Sequence, residues 1–249
     1  MANHALLNNV EHHDLKVITR YGSEFGDNVG SVLTFPTEYA DVQREYPIFF
    51  QKDGQTGEFR SVVLLGFEKN ENLFLDQKNG VWNANYVPGI NARGPFLIGF
   101  QEQQTDGNLR NEPVILVDMD SPRVNRTEGA PVYLPRGGNT PYIDQVAVIL
   151  NGIREGMDIS KAMFDAFSTA ELIEPVDVQI KFNENLQYDL KGLYSISQQK
   201  LASLDGDTLV KLNRAGFLHG AFLVLSSLNN VQKLVQLKQQ RLLSQLSPA

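Results

Sequence analysis

His12-His13-Asp14 contains the spacing His-x-Asp. A neutral imidazole and a carboxylate so placed are two of the three protein ligands of a non-haem iron facial triad, and His219 could complete the set. Almost no chain precedes His12, whereas such a pair needs a preformed sheet to carry it. The competing reading has His12 and His13 leading into the first strand, and His219 packed in an apolar helix with its ring nitrogens satisfied locally. A second metal candidate is Asp118-x-Asp120 at the end of an apolar run. Carboxylates two residues apart on a strand point to the same side and can share a hard divalent cation. Otherwise they cap the turn into Ser121-Pro122 and pair with Arg123 or Arg126.

Binding chemistry has its own candidates. Trp82, Tyr86 and Arg93 lie in an Asn- and Pro-rich stretch from Gly80 to Phe96. Aromatic faces supply contact area and a guanidinium fixes a carboxylate, which suits a groove for a ligand or peptide. The same residues also suit a core anchor with a bracing ion pair. Arg136-Gly137-Gly138-Asn139-Thr140 opens a helix whose first amides attract anions, although Pro141 removes one donor.

Other chemistries are excluded. The 249 residues include no cysteine, so disulfides, thiolate nucleophiles, iron–sulfur clusters and cysteine zinc sites are absent. No phosphate-binding Gly-x-x-x-x-Gly-Lys-Ser/Thr loop, Gly-x-Gly-x-x-Gly, His-Glu-x-x-His or Gly-x-Ser-x-Gly occurs. No cofactor is therefore expected. The net charge of −7 argues against nucleic acid as a partner. That sum conceals a split: residues 208–249 carry Lys211, Arg214, Lys233, Lys238 and Arg241 with no acidic residue, so +5 stands against −12 elsewhere. A basic helix with an apolar stripe docks on its own domain, joins two copies into a homodimer, or lies on a membrane surface. The longest apolar stretch, Phe217–Leu228, spans 12 residues, short of the roughly 20 that cross a bilayer. Residues 1–10 have no signal-peptide pattern, and the expected compartment is the cytoplasm.

These residues need elements to hold them. Short Val-, Ile-, Leu- and Phe-rich runs at 15–20, 31–35, 47–51, 59–67, 72–75, 96–101 and 113–119 are separated by turn residues, which predicts a mostly antiparallel sheet over 1–122. A short helix at 37–44 interrupts it. Residues 123–139 read as a loop. A helix then runs from Pro141 to a break at Gly156, and a second over 159–172. Alternation returns at Val176, Val178, Ile180 and Phe182, turns at Asn183-Glu184-Asn185 and forms a hairpin over 175–195. Helices follow, with Asp207 as one cap and a break near Asn229-Asn230. The fold class is α+β, with a β-rich N-terminal region before a helical C-terminal half.

Several segments in register, Arg44-Glu45-Tyr46-Pro47-Ile48-Phe49-Phe50, Trp82 through Phe96, Thr140-Pro141-Tyr142-Ile143 and Leu190-Lys191-Gly192-Leu193-Tyr194-Ser195-Ile196, resemble those of the SapC family of bacterial proteins. His13-Asp14-Leu15-Lys16-Val17 is similar to the family's opening and Gly216 through Leu228 to its closing helix. The resemblance covers nearly the whole chain and implies a single domain over 1–249. It implies a surface-layer association through the family's name, and an accessory role beside halogenase-like flavoproteins, cupin-like oxygenases and TonB-dependent receptors. It supplies no catalytic residues. The resulting expectation is a non-catalytic protein that binds a partner protein or peptide-like ligand. A metal-dependent oxygenase-like enzyme and a surface-layer or membrane-surface component are the alternatives.

Overall fold

A computed structural model describes residues 3–105, 108–184 and 186–246; Asn185 of the predicted turn lies outside them. In chain order the strands are β1 His4–Leu6, β2 Lys16–Val17, β3 Ser31–Leu33, β4 Ile48–Lys52, β5 Phe59–Leu64, β6 Leu75–Asp76, β7 Val81–Trp82, β8 Phe96–Thr105, β9 Asn108–Asp118, β10 Val124–Asn125, β11 Ala130–Pro131, β12 Ile173–Lys181 and β13 Gln187–Ile196. The helices are α1 Tyr39–Val42, α2 Gly89–Ala92, α3 Pro141–Thr169, α4 Gln198–Ala202, α5 Gly206–Arg214, α6 Phe217–Ser227 and α7 Asn230–Leu246. The α+β class holds, with antiparallel sheets early and helices late. The chain divides into two compact units, each made of separated stretches: 1–27 with 89–155, and 28–88 with 156–249.

In the first unit the long hairpin β8–β9 takes β1 on its outer side, in the order β1-β9-β8. A small sheet, β10-β2-β11, lies apart from it. Leu15, Val17, Phe96, Val117 and Val132 form one buried cluster with Ile143, Val146 and Leu150. The last three fall three and four residues apart on α3, so a single helical stripe closes this core.

The second unit is built on an antiparallel sheet in the order β12-β13-β4-β5-β3. The late hairpin β12–β13 thus joins an early sheet, because Tyr194 pairs with Phe50 on β4. Phe50 meets Phe164 edge-on at 5.0 Å and Phe167 at 6.3 Å. Aromatic rings from strand and helix so fill the space between layers.

Three expectations need correction. Residues 123–139, read as a loop, contribute the short strands β10 and β11, whose backbones pair with β2. The predicted break at Gly156 is absent, and α3 runs unbroken from Pro141 to Thr169. Gly156 is there for close packing: a Cβ at that position would lie 2.4 Å from Phe35 Cβ and 2.6 Å from Thr37 Oγ1. Alanine would gain about 1 kcal/mol of helix propensity, yet overpacking costs about 1–3 kcal/mol. Gly156→Ala is therefore expected to lower the thermal midpoint by a few degrees, read by circular dichroism; a rise would show that the contact relaxes freely. The cap of α5 is Asp205, whose carboxylate accepts from Thr208 N–H at 2.9 Å. Asp207 lies inside the helix, since Gly206 already begins it.

Candidate functional site

The structure scatters the metal candidates. His12 is buried and its Nδ1 accepts from Asn8 N–H at 3.2 Å, while His13 is exposed. Asp14 pairs with Arg126, whose hydrogen bond holds its carboxyl below the usual range. These residues belong to the first unit and His219, exposed on α6, to the second. Asp118 and Asp120 shape a turn: Asp118 Oδ1 accepts from Asp120 N–H at 3.1 Å, and Asp120 Oδ2 from Asn3 N–H at 3.2 Å. The arginines suggested as their partners are engaged elsewhere, Arg123 on Asp27 and Arg126 on Asp14. Among the described residues no group of three or more His, Asp or Glu gathers where it could hold a metal ion.

Trp82 and Tyr86 are braces in the second unit. Trp82 Nε1 donates to Tyr46 Oη at 2.7 Å, and Tyr46 Oη donates to the Tyr86 carbonyl at 2.5 Å. Tyr86 Oη donates at 2.7 Å to Glu38, whose other oxygen accepts from Thr34 Oγ1 at 2.8 Å. Burial, and then the Glu38 carboxylate, push the Tyr86 phenol up, so it stays a donor. Arg93 and Arg136 fall in the first unit. Arg93 Nη1 donates to the Phe96 carbonyl at 2.6 Å and its Nε is buried without a partner, while Arg136 is exposed in the turn between the bridged Tyr133 and Asn139.

The basic C-terminal helix turns its charge inward. On α7, Lys233 pairs with Glu45 and Lys238 with Glu68 and Glu71. Arg241 Nη2 donates to the Asn72 and Leu75 carbonyls at 3.0 and 3.2 Å. Of the five cations in residues 208–249, three are thus bound within the unit. No helix among the described residues is long and apolar enough to cross a membrane.

One concavity was not legible in the sequence. It is a cleft of about 510 Å³ in the second unit, between α3 and the strands β3 and β5, within the roughly 300–1,000 Å³ typical of small-ligand sites. Met157, Ser160, Lys161, Phe164, Asp165 and Ser168 line it from α3; their spacing of three and four places them on one helix face. Phe35, Phe59 and Phe164 give an apolar floor, with the last two rings stacked at 5.9 Å.

Two buried hydroxyls interrupt that floor. Thr34 and Ser61 are 2% and 3% exposed and are neighbours across the strands, Thr34 N–H donating to the Ser61 carbonyl at 3.0 Å. Thr34 Oγ1 donates a hydrogen bond to Glu38, and Ser61 Oγ shares a short hydrogen bond with Tyr39 Oη. Burial pushes the Tyr39 phenol up, so it stays protonated and does not serve Ser61 as a base. At the rim, Lys52 Nζ lies over the rings of Phe59 and Tyr194 at 5.1 and 5.5 Å. Arg60 is held by Asp53 at 3.2 Å. Lys52 and Glu58 on the strand side, and Lys161 and Asp165 on the helix, have no ion-pair partner among the described residues. Each wall thus offers one positive and one negative group.

No curated protein and no solved structure matches the chain significantly. A family model, SapC, matches residues 7–234. That stretch begins before β2 and ends within α7, so it takes in both compact units, and the chain belongs to the SapC family.

Proposed function

We propose that this SapC family member is a non-catalytic binding protein whose cleft between α3 and β3–β5 holds a short peptide-like ligand with both termini free. The observation carrying this reading is the balance of the two walls: Lys52 with Glu58 and Lys161 with Asp165, unpaired among the described residues, above an aromatic floor. Walls that each carry both signs of charge complement a zwitterion and disfavour a ligand with one charge alone. The aromatic floor takes an apolar side chain, and the Thr34 and Ser61 hydroxyls meet amide groups. Trp82 and Tyr86 contribute as positioning residues, since they hold Glu38 and thereby Thr34. In this reading the protein is a cytoplasmic accessory factor for uptake or modification of such a ligand, beside halogenase-like flavoproteins or TonB-dependent receptors.

The test is calorimetric titration of the full chain with the dipeptide Ala-Phe, its N-acetyl form and its C-terminal amide. The free dipeptide is expected to bind, with each blocked form and each of Lys161→Ala and Asp165→Ala weakening binding about tenfold, as loss of one charge pair implies. No heat from any of the three peptides, or equal affinity for all three, would overturn the reading.

A further inference from the structure

The free edge of the five-stranded sheet in the second unit points to a contact with a second copy of the chain. β12 ends that sheet in the order β12-β13-β4-β5-β3, so among the described residues no strand lies on its outer side. On its inner side Phe182 N–H donates to the Leu186 carbonyl at 2.9 Å, in register with the Ile180–Tyr188 and Val178–Leu190 pairs. The even-numbered residues therefore direct their backbone groups at β13. By alternation, Asp177, Gln179 and Lys181 turn theirs to the open edge. Pro175 has no N–H to offer and bounds the usable stretch.

Side chains alternate as well. Asp177, Gln179 and Lys181 are exposed, while Val176 and Val178 are half-buried and Ile180 is buried. Those three apolar residues border a groove of about 490 Å³, with Val231 and Val235 of α7 on its other side. An unpaired edge beside an apolar groove is a template for another strand.

Charge selects that strand. Asp177 and Lys181 have no ion-pair partner among the described residues and flank Gln179 symmetrically. If two copies of β12 pair antiparallel about a two-fold axis through Gln179, Asp177 of each copy stands opposite Lys181 of the other. Val178 then meets Ile180, and Val176 meets Phe182, on the groove side. An axis through Asp177 or Lys181 would set like charges face to face. An axis through Val178 or Ile180 would leave both charges without an opposite partner.

We propose that β12 pairs with β12 of a second copy in the register centred on Gln179, joining two sheets into one across a two-fold axis. The apolar side chains of the second copy close the open side of the groove, and the Asp177–Lys181 pairs lie on the opposite face. No residue of the cleft between α3 and β3–β5 takes part, so the proposal does not depend on what that cleft binds.

Sedimentation equilibrium of the full chain tests it, with circular dichroism to show that each variant keeps its fold. A reversible dimer with a micromolar dissociation constant is expected, since one strand pair is a small interface. Gln179→Pro removes an outward N–H without touching the β13 ladder and is expected to abolish the dimer. Asp177→Lys and Lys181→Asp each set like charges opposite one another and are expected to weaken self-association about tenfold. An equimolar mixture of these two variants, or both substitutions in one chain, is expected to associate as the parent does. Should Gln179→Pro unfold, the charge reversals carry the test. A monomeric parent, whose edge would then be left to a different protein or to solvent, would overturn the proposal. A dimer that survives both single reversals, or that the double variant fails to restore, would do the same.

Discussion

Arg123→Ala is expected to destabilise the chain by about 3–5 kcal/mol, the usual cost of stripping one partner from a buried ion pair. The side chains of Arg123 and Asp27 are 6% and 5% exposed. Without the guanidinium, Asp27 keeps neutral donors such as Gly22 N–H at 2.9 Å and Asn91 Nδ2 at 3.3 Å. These do not offset a carboxylate in a medium of low dielectric. The Ile18 and Arg20 carbonyls lose their donors as well, and Phe25 loses the cation 4.6 Å above its ring. Arg123→Lys keeps the charge but not the planar fork that reaches Asp27 and two carbonyls together, so it is expected to recover only part of the loss. Urea unfolding followed by circular dichroism reads both variants. A loss under 1 kcal/mol for Arg123→Ala would mean that water reaches Asp27 freely.

The second large effect is expected at Lys238, a lysine on α7 that is only 6% exposed. Its ammonium donates to Glu71 at 2.6 Å and to Glu68 at 2.8 Å, and lies 5.1 Å over the Tyr188 ring. Lys238→Ala leaves Glu71, 8% exposed, without its cation, and a loss of about 3 kcal/mol is expected. Trp82, the single tryptophan and part of the same unit, reports it by fluorescence. Adding Glu71→Gln is expected to restore part of the stability, because the orphaned charge then disappears. If the double variant were no more stable than the single one, the loss would stem from packing.

The same pair sets a pH window. Hydrogen bonds from Lys238 and then Tyr188 hold the Glu68 carboxyl below its ordinary 4.5. Burial works against the Lys238 ammonium, but Glu68 and Glu71 outweigh it and raise Lys238 above its ordinary 10.5. A lowered carboxylate stabilises above its unfolded value and loses that contribution as pH falls through the folded one. A raised ammonium stabilises below its unfolded value and loses that contribution as pH rises through the folded one. The pair therefore stabilises most between about pH 5 and 10. Stability measured from pH 6 down to pH 3 should fall less steeply in Lys238→Ala than in the parent.

The sequence by itself determined the elements whose periodicity is strong: the strand runs at 96–101 and 113–119, the alternation at Val176–Ile180, the helix opened by Pro141 and the break near Asn229-Asn230. Local backbone preference and the need to bury one face set these, and both are written in neighbouring residues. It also determined that no thiol chemistry is available. Only the tertiary structure decided what depends on residues far apart. Gly156 reads as a helix end until Phe35, more than a hundred residues away, is seen to need the space of its missing Cβ. Trp82 and Tyr86 read as either ligand contacts or a core anchor, and only the fold shows their polar atoms meeting Tyr46 and Glu38. The cluster of cations after residue 207 reads as a helix that docks on its own domain, on a second copy or on a membrane surface, and only the fold places Glu45, Glu68 and Glu71 beside it. The cleft had no linear signal, because its walls come from β3, β5 and α3 and its charges balance only once those elements face each other. Charge and burial act through space, over a few ångströms, and a chain encodes such distances only by folding.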